Sequence, residues 1–259
     1  MQLDEIAVGR SEPHRQVVFK GILEPLKVRP ITVSSMAVNT LWQPIQKQLW
    51  GAMQKFECFK PTGTPVTTEN ISDLYHKSRV LAGECGYDVS YGEFFDLFKF
   101  DSADFRSATN VLAMPASLAA CEAACPDPIG QMVMRAGLCG STMSYYDRTD
   151  RMMKDLGVQS NGQLMGSVFS FPLLCMINAA VIRYTFELMY NRSFKLSEVP
   201  FLVNGDDMLC MLPPWGYELW RGLSSAVGLE PSPGKNYFSR NFAMINSKIF
   251  DVSGCGAIS

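Results

Sequence analysis

Phe201-Leu202-Val203-Asn204-Gly205-Asp206-Asp207-Met208-Leu209-Cys210-Met211-Leu212 sets two short apolar runs around four polar residues. A short apolar run bounded by turn formers reads as a buried strand. A glycine between two such runs supplies the positive φ that a tight reversal needs. The stretch therefore predicts a β-hairpin with Asp206 and Asp207 at its tip. Adjacent carboxylates on a rigid hairpin offer the hard oxygen ligands that Mg²⁺ or Mn²⁺ prefers. Alone, Gly-Asp-Asp is also an ordinary solvated turn, so its meaning depends on what the rest of the chain brings to it.

A second carboxylate comes from far upstream. Residues 94–100 are aromatic-rich and read as a strand, and Asp104 follows where a strand gives way to a helix. Strand-end carboxylates from distant parts of a chain can share two metal ions about 3.5–4 Å apart, the arrangement that serves in-line phosphoryl displacement. The competing role for Asp104 is to cap a helix beginning at Phe105.

Around these residues the chain reads as a folded protein. It has 259 residues, 47% of them hydrophobic, which excludes a disordered tail or a disulfide knot. With 23 Lys and Arg against 25 Asp and Glu, the overall field is not that of a polybasic protein, so local charge carries any partner argument. Residues 14–60 are basic, holding Arg15, Lys20, Lys27, Arg29, Lys47, Lys55 and Lys60 against Glu24 and Glu57. Residues 61–130 reverse the sign. Eight cysteines without a Cys-x-x-Cys pair, and two distant histidines, argue against a zinc site. With no signal-peptide pattern, reduced thiols in a cytosol-like compartment are expected.

Periodicity gives the coarse elements. Residues 16–20 and 26–33 read as strands around a turn at 21–25, and a long amphipathic helix follows from Val38. Residues 164–182 carry no charge and are long enough to cross a bilayer. Ser167, Ser170, Pro172 and Asn178 within that run, and the polar stretch 159–163 before it, fit a buried helix behind a functional loop better. Another helix is expected over 215–227, ended by Gly228.

Five stretches recur in a recognisable order: Lys27-Val28-Arg29-Pro30-Ile31; Asp104-Phe105-Arg106-Ser107-Ala108-Thr109; Gly162 to Ser167 with Ser170-Phe171-Pro172; Gly205-Asp206-Asp207; and Ser232-Pro233-Gly234-Lys235-Asn236. From about Val18 to Phe250 the chain resembles viral RNA-dependent RNA polymerases, most closely those of ourmia-like and narna-like positive-strand RNA viruses. A Tyr-x-Asp-Asp turn in place of Asn-Gly-Asp-Asp would instead resemble a reverse transcriptase.

The resemblance implies an α+β fold: a polymerase palm, an antiparallel sheet backed by helices, with partial, mainly helical fingers and no thumb. Residues 1–60 would be partial fingers and 61–259 the palm, with 111–160 a fingers insertion. Asp104, Asp206 and Asp207 would bind two Mg²⁺ or Mn²⁺ ions. Lys27 and Arg29 would neutralise the incoming triphosphate. Gly166 and Ser167 would lie in the loop holding template and nascent RNA, and Ser170, Asn178 and Asn110 would meet the ribose. Lys235 would protonate the leaving pyrophosphate. The family pattern after the first aspartate ends Ala-Thr-Asp, whereas this chain has Ala108-Thr109-Asn110. The implied partners are RNA template and nascent strand, nucleoside triphosphates, and a second polymerase chain supplying the thumb, with no membrane; the implied place is the host cytoplasm or mitochondrion. Rival readings are a fragment, a catalytically silent RNA-binding remnant, and a membrane-anchored replication subunit.

Overall fold

A computed structural model describes residues 16–25, 27–87 and 91–253. Of the basic segment, His14 and Arg15 lie outside the described residues, as does the side chain of Lys27. Through the first half, the elements run β1 (Gln16–Glu24), β2 (Lys27–Val33), α1 (Met36–Met53), α2 (Thr68–Glu84), α3 (Tyr91–Leu97), β3 (Lys99–Ala103), α4 (Ala108–Val111) and α5 (Met114–Ala124). Then come α6 (Pro128–Leu138), β4 (Thr142–Asp147), β5 (Met152–Val158), α7 (Ser170–Tyr190), β6 (Phe201–Asn204), β7 (Asp207–Leu212), α8 (Pro214–Ala226), β8 (Tyr237–Ser239), β9 (Phe242–Ile245) and β10 (Lys248–Asp251). Contacts divide the chain into two units, Met1–Gly51 with Ser107–Leu174 and Ala52–Arg106 with Cys175–Ser259. The boundaries expected from sequence were 60, 111 and 160.

The first unit carries a four-stranded sheet in the order β2-β1-β4-β5. β1 and β2 form a hairpin that closes at Glu24 and Lys27, tighter than the turn expected at 21–25. A Cβ on Gly21 would lie 2.9 Å from Val28 Cγ1, so a larger residue there would require the exposed Val28 side chain to shift. β4 runs parallel to β1 and antiparallel to β5. Neither strand stood out in the sequence, because β5 is exposed along most of its length and β4 is only half-buried, so no buried face imposes an alternation on either. Behind the sheet, Trp42 and Phe169 are buried with ring centroids 5.9 Å apart. A Cβ on Gly137 would come within 2.8 Å of Phe169, so this glycine admits the ring.

In the second unit the sheet is antiparallel throughout, in the order β6-β7-β3-β8. The expected hairpin is present as β6 and β7, paired from Phe201↔Cys210 to Asn204↔Asp207. Met208 to Leu212 are all 0% exposed, which explains why β7 reads as an unbroken apolar run. Residues 94–97 prove to be helical, belonging to α3, and the strand starts only at Lys99. The aromatic spacing is responsible: Phe94 and Phe98 stack at 4.6 Å four residues apart, and Phe95 stacks on Tyr75 at 4.7 Å. The helix after Asp104 begins at Ala108, preceded by Ser107 in the left-handed region (φ 51°), so Asp104 does not cap it.

α7 is the one described helix long and apolar enough to cross a membrane, and 61% of its most apolar window is buried within the protein. All seven described cysteines are free thiols.

One buried group stands apart. Asp101, in the middle of β3, is 0% exposed, and neither carboxyl oxygen has a hydrogen-bond partner among the described residues. Burial pushes its carboxyl well above the usual range, so it stays protonated. In the unfolded chain the same carboxyl loses its proton at ordinary acidity, so the folded state binds more protons. Stability must therefore fall as pH rises above about 4, until the folded pKa is passed. Asp101→Asn removes that dependence, and its melting temperature relative to the native chain should rise as pH rises above about 4. A constant offset in thermal melts would show that Asp101 is ionised in the fold.

Candidate active site

Register brings the three aspartates to one end of the second unit's sheet. The last β3–β7 pair is Ala103↔Met208, so Asp104 and Asp207 occupy the next opposed position. Opposed residues on antiparallel strands have Cα atoms about 4.5–5.5 Å apart. Asp206 sits one residue further, in the two-residue turn, after Gly205 at φ 67°.

The backbone of Asp104 is gripped by the 232–236 loop. Ser232 N–H donates to the Asp104 carbonyl at 2.8 Å, and Asn236 Nδ2 donates to the same oxygen at 3.2 Å. Asn236 Oδ1 accepts the Asp104 N–H at 3.3 Å. Lys235 then extends its Nζ to Asp104 Oδ2 at 2.8 Å. On the far side of the hairpin, Asn204 Nδ2 donates to Asn246 Oδ1 at 2.8 Å, and Asn246 Nδ2 donates to the Pro61 carbonyl at 3.2 Å.

These placements concentrate negative charge. The Asp207 carboxyl is pushed up to about 6, first by burial and then by the charges of Asp206 and Asp104. The Asp104 carboxylate raises the ammonium pKa of Lys235, with smaller contributions from Asp206 and Asp207, so Lys235 stays protonated. Hard oxygens crowded until one of them resists ionisation form a donor set that a divalent cation would relieve. Among the described residues, no group of three His, Cys, Asp or Glu side chains already stands in a geometry that holds an ion, and Asp104 is engaged by Lys235.

The remaining expected site residues fall in two places. Asn178, in the second unit, is 0% exposed and its Nδ2 donates to the Gly205 carbonyl at 3.1 Å. It therefore turns its amide nitrogen to the hairpin, while its Oδ1 has no hydrogen-bond partner among the described residues. In the first unit, Ser170 is buried and donates to Gln163 Oε1 at 3.1 Å. Arg29 forks onto Glu24, with Nε at 2.6 Å and Nη2 at 3.2 Å from its carboxylate oxygens. Lys27 opens β2. Asn110 is exposed in α4. Gly166 is exposed and Ser167 half-buried, in a loop pinned to β2 where Thr32 N–H donates to the Met165 carbonyl at 3.1 Å. A Cβ on Gly166 would meet the Thr32 carbonyl oxygen at 1.8 Å, so no side chain fits there.

Asn236 and Cys175 were missed by sequence reasoning. Asn236 adjoins Lys235 in a turn-forming stretch, which was a usable signal. Cys175 Sγ accepts the Gly205 N–H at 3.2 Å, and nothing in the residue type advertises that. A cavity of about 800 Å³ in the second unit, between the 55–84 and 192–202 segments, is lined by none of the expected site residues. Its cations Lys55, Lys60, Lys77 and Arg192 are matched by Glu57, Asp73, Glu84 and Glu198.

No protein-family model matches the chain. The RNA-dependent RNA polymerase of Ourmia melon virus is 33% identical over 98% of the chain. In sequence this chain is similar to a viral RNA-dependent RNA polymerase. It spans 30% of that polymerase's length. Among solved structures, the RNA-dependent RNA polymerase of a human picobirnavirus matches 92% of this chain and 43% of its own, with a TM-score of 0.63 at 12% identity. The BmCPV RNA-dependent RNA polymerase at elongation state matches 92% of this chain and 21% of its own, with a TM-score of 0.64 at 8% identity. Apo telomerase from Candida tropicalis matches 93% of this chain and 54% of its own, with a TM-score of 0.60 at 11% identity. At such identities the likeness shows the fold, a polymerase palm within a mixed α and β chain.

Convergence of the carboxylates is open to direct measurement. In ion-free protein, ¹³C NMR should find Asp207 titrating near pH 6, as expected for a buried carboxyl beside two others. Asp206→Asn removes one like charge, and saturating Mg²⁺ adds an opposite one, so each should move that titration to lower pH. No movement in either case would show that the charges do not meet.

Proposed function

We propose that this chain is the core of an RNA-directed RNA polymerase that replicates a viral genome. The meeting of Asp104 with Asp206 and Asp207 at adjacent strand ends of a palm sheet carries this reading. Polymerases of this family use divalent metal ions. Two Mg²⁺ or Mn²⁺ ions would activate the RNA 3′-hydroxyl and stabilise the oxygen leaving the α-phosphate. Asp104 and Asp206 would hold them, with Asp207 beside them as an auxiliary ligand. Lys235 keeps a proton at Nζ beside Asp104 and would deliver it to the departing pyrophosphate.

The first unit supplies the fingers in this reading. Arg29 would exchange the Glu24 carboxylate for a phosphate, since both accept the same two-pronged donation. Lys27, one step from the hairpin turn, would add a point charge. The loop at Gly166 and Ser167 would bear on template and nascent strand. Partners would be the RNA, nucleoside triphosphates, and a second chain or further segment acting as thumb. The free thiols suit a reducing compartment, the host cytoplasm or mitochondrial matrix.

Primer extension on an RNA template with Mg²⁺ or Mn²⁺ tests the proposal. The protein should make template-length RNA. Asp104→Asn and Asp206→Asn should each lower the rate by at least about 100-fold, as expected when several kcal/mol of transition-state stabilisation is lost. Circular dichroism should remain unchanged. A folded protein that binds RNA but makes no product would overturn the reading in favour of a silent RNA-binding remnant.

Asn110 makes a separate prediction. A carboxylate accepts a ribose hydroxyl through a charge-assisted bond about twice as strong as one to a neutral amide. The native chain should therefore separate ribonucleotides from deoxyribonucleotides less sharply than its Asn110→Asp variant. Equal discrimination in matched incorporation assays would show that residue 110 does not reach the sugar.

A further inference from the structure

We infer that Cys175 and Asn178, on one face of α7, clamp the two peptide groups that flank Gly205 and thereby position Asp206. This inference rests on the reading of Asp206 as a catalytic carboxylate. Cys175 Sγ accepts the Gly205 N–H at 3.2 Å, and Asn178 Nδ2 donates to the Gly205 carbonyl at 3.1 Å. That N–H belongs to the peptide joining Gly205 to Asn204, and that carbonyl belongs to the peptide joining it to Asp206. Both peptides of the turn are therefore fixed from outside the hairpin.

The ladder alone cannot do this. The last β6–β7 pair is Asn204↔Asp207, which leaves Gly205 and Asp206 beyond the strand pairing. Glycine at φ 67° has the widest conformational freedom of any residue, and it immediately precedes the carboxylate. The clamp removes that freedom. Cys175 and Asn178 are both 0% exposed, and although Asn178 Oδ1 has no partner among the described residues, breaking either bond to Gly205 would leave a buried backbone group unpaired, which is costly. The Asn178 amide orientation follows from chemistry: a carbonyl can only accept, so the NH₂ end must face Gly205. Burial pushes the Cys175 thiol up to about 12, which keeps it a neutral acceptor and not a reactive thiolate. Both are positioning residues, acting on Asp206 through Gly205.

The test separates positioning from ribose contact and from folding alone. Cys175→Ser keeps an acceptor for the Gly205 N–H, Cys175→Ala does not, and Asn178→Leu keeps the volume but has no donor. Amide hydrogen exchange at Gly205, read by NMR, should speed up about tenfold or more in Cys175→Ala and recover in Cys175→Ser, in line with one lost hydrogen bond. In primer extension, Cys175→Ala and Asn178→Leu should lower kcat about tenfold or more while KM for the nucleotide and the ribose-to-deoxyribose ratio stay as in the native chain. If Cys175→Ala does not fold, the comparison of Cys175→Ser and Asn178→Leu with the native chain carries the same reading. Native-like exchange at Gly205 in Cys175→Ala, or a changed sugar ratio in Asn178→Leu, would overturn the clamp. Exchange that responds as expected in a native protein unable to make RNA would support the clamp and overturn the polymerase reading instead.

Discussion

The pairing of β3 with β7 is the constraint on which the rest depends. Two strands more than 100 residues apart in sequence lie side by side, with Ala103 opposite Met208. Side chains alternate faces along a strand, so a slip of one residue would take Asp104 out of opposition with Asp207. The hydrophobic effect that closes the sheet is also what brings the acidic groups together, against their mutual repulsion.

That repulsion is moderated from several sides. Lys235 offers a protonated amine to Asp104, and Asn236 holds the backbone of the same aspartate by both its N–H and its carbonyl. Asn246 braces the opposite side of the hairpin through Asn204. Asp207, partly buried beside the other two, responds by holding its proton more tightly than an ordinary aspartate. The acidic edge of the sheet is thus assembled and partly neutralised by neighbouring polar groups.

Much of this arrangement was legible in the chain. The hairpin over 201–212 could be read because β7 is buried on both faces and its sequence is continuously apolar. Asp104 could be placed at a strand end, but the strand itself was drawn too early, since aromatic residues at positions 94, 95 and 98 favour a sheet by propensity and a helix by spacing. β4 and β5 escaped notice because neither has a fully buried face to impose a hydrophobic alternation. Helical periodicity groups residues such as Ser170 and Asn178 without saying which neighbour each of them meets. The contact of Lys235 with Asp104 and that of Cys175 with Gly205 are tertiary, and only the closed sheet creates them.

The grip on Gly205 also bears on how the protein ages. Asn204-Gly205 is the dipeptide in which a backbone nitrogen, unhindered by a side chain, most readily attacks the preceding side-chain amide, expelling ammonia and closing a succinimide ring that water reopens as aspartate or isoaspartate. Reopening to isoaspartate would insert an extra methylene into the main chain two residues before Asp206. In this fold the nitrogen is occupied in a bond to Cys175, and the Asn204 amide is held by Asn246. The ring-closing geometry requires both bonds to break, so the hairpin is shielded from the chemical damage that its own sequence invites.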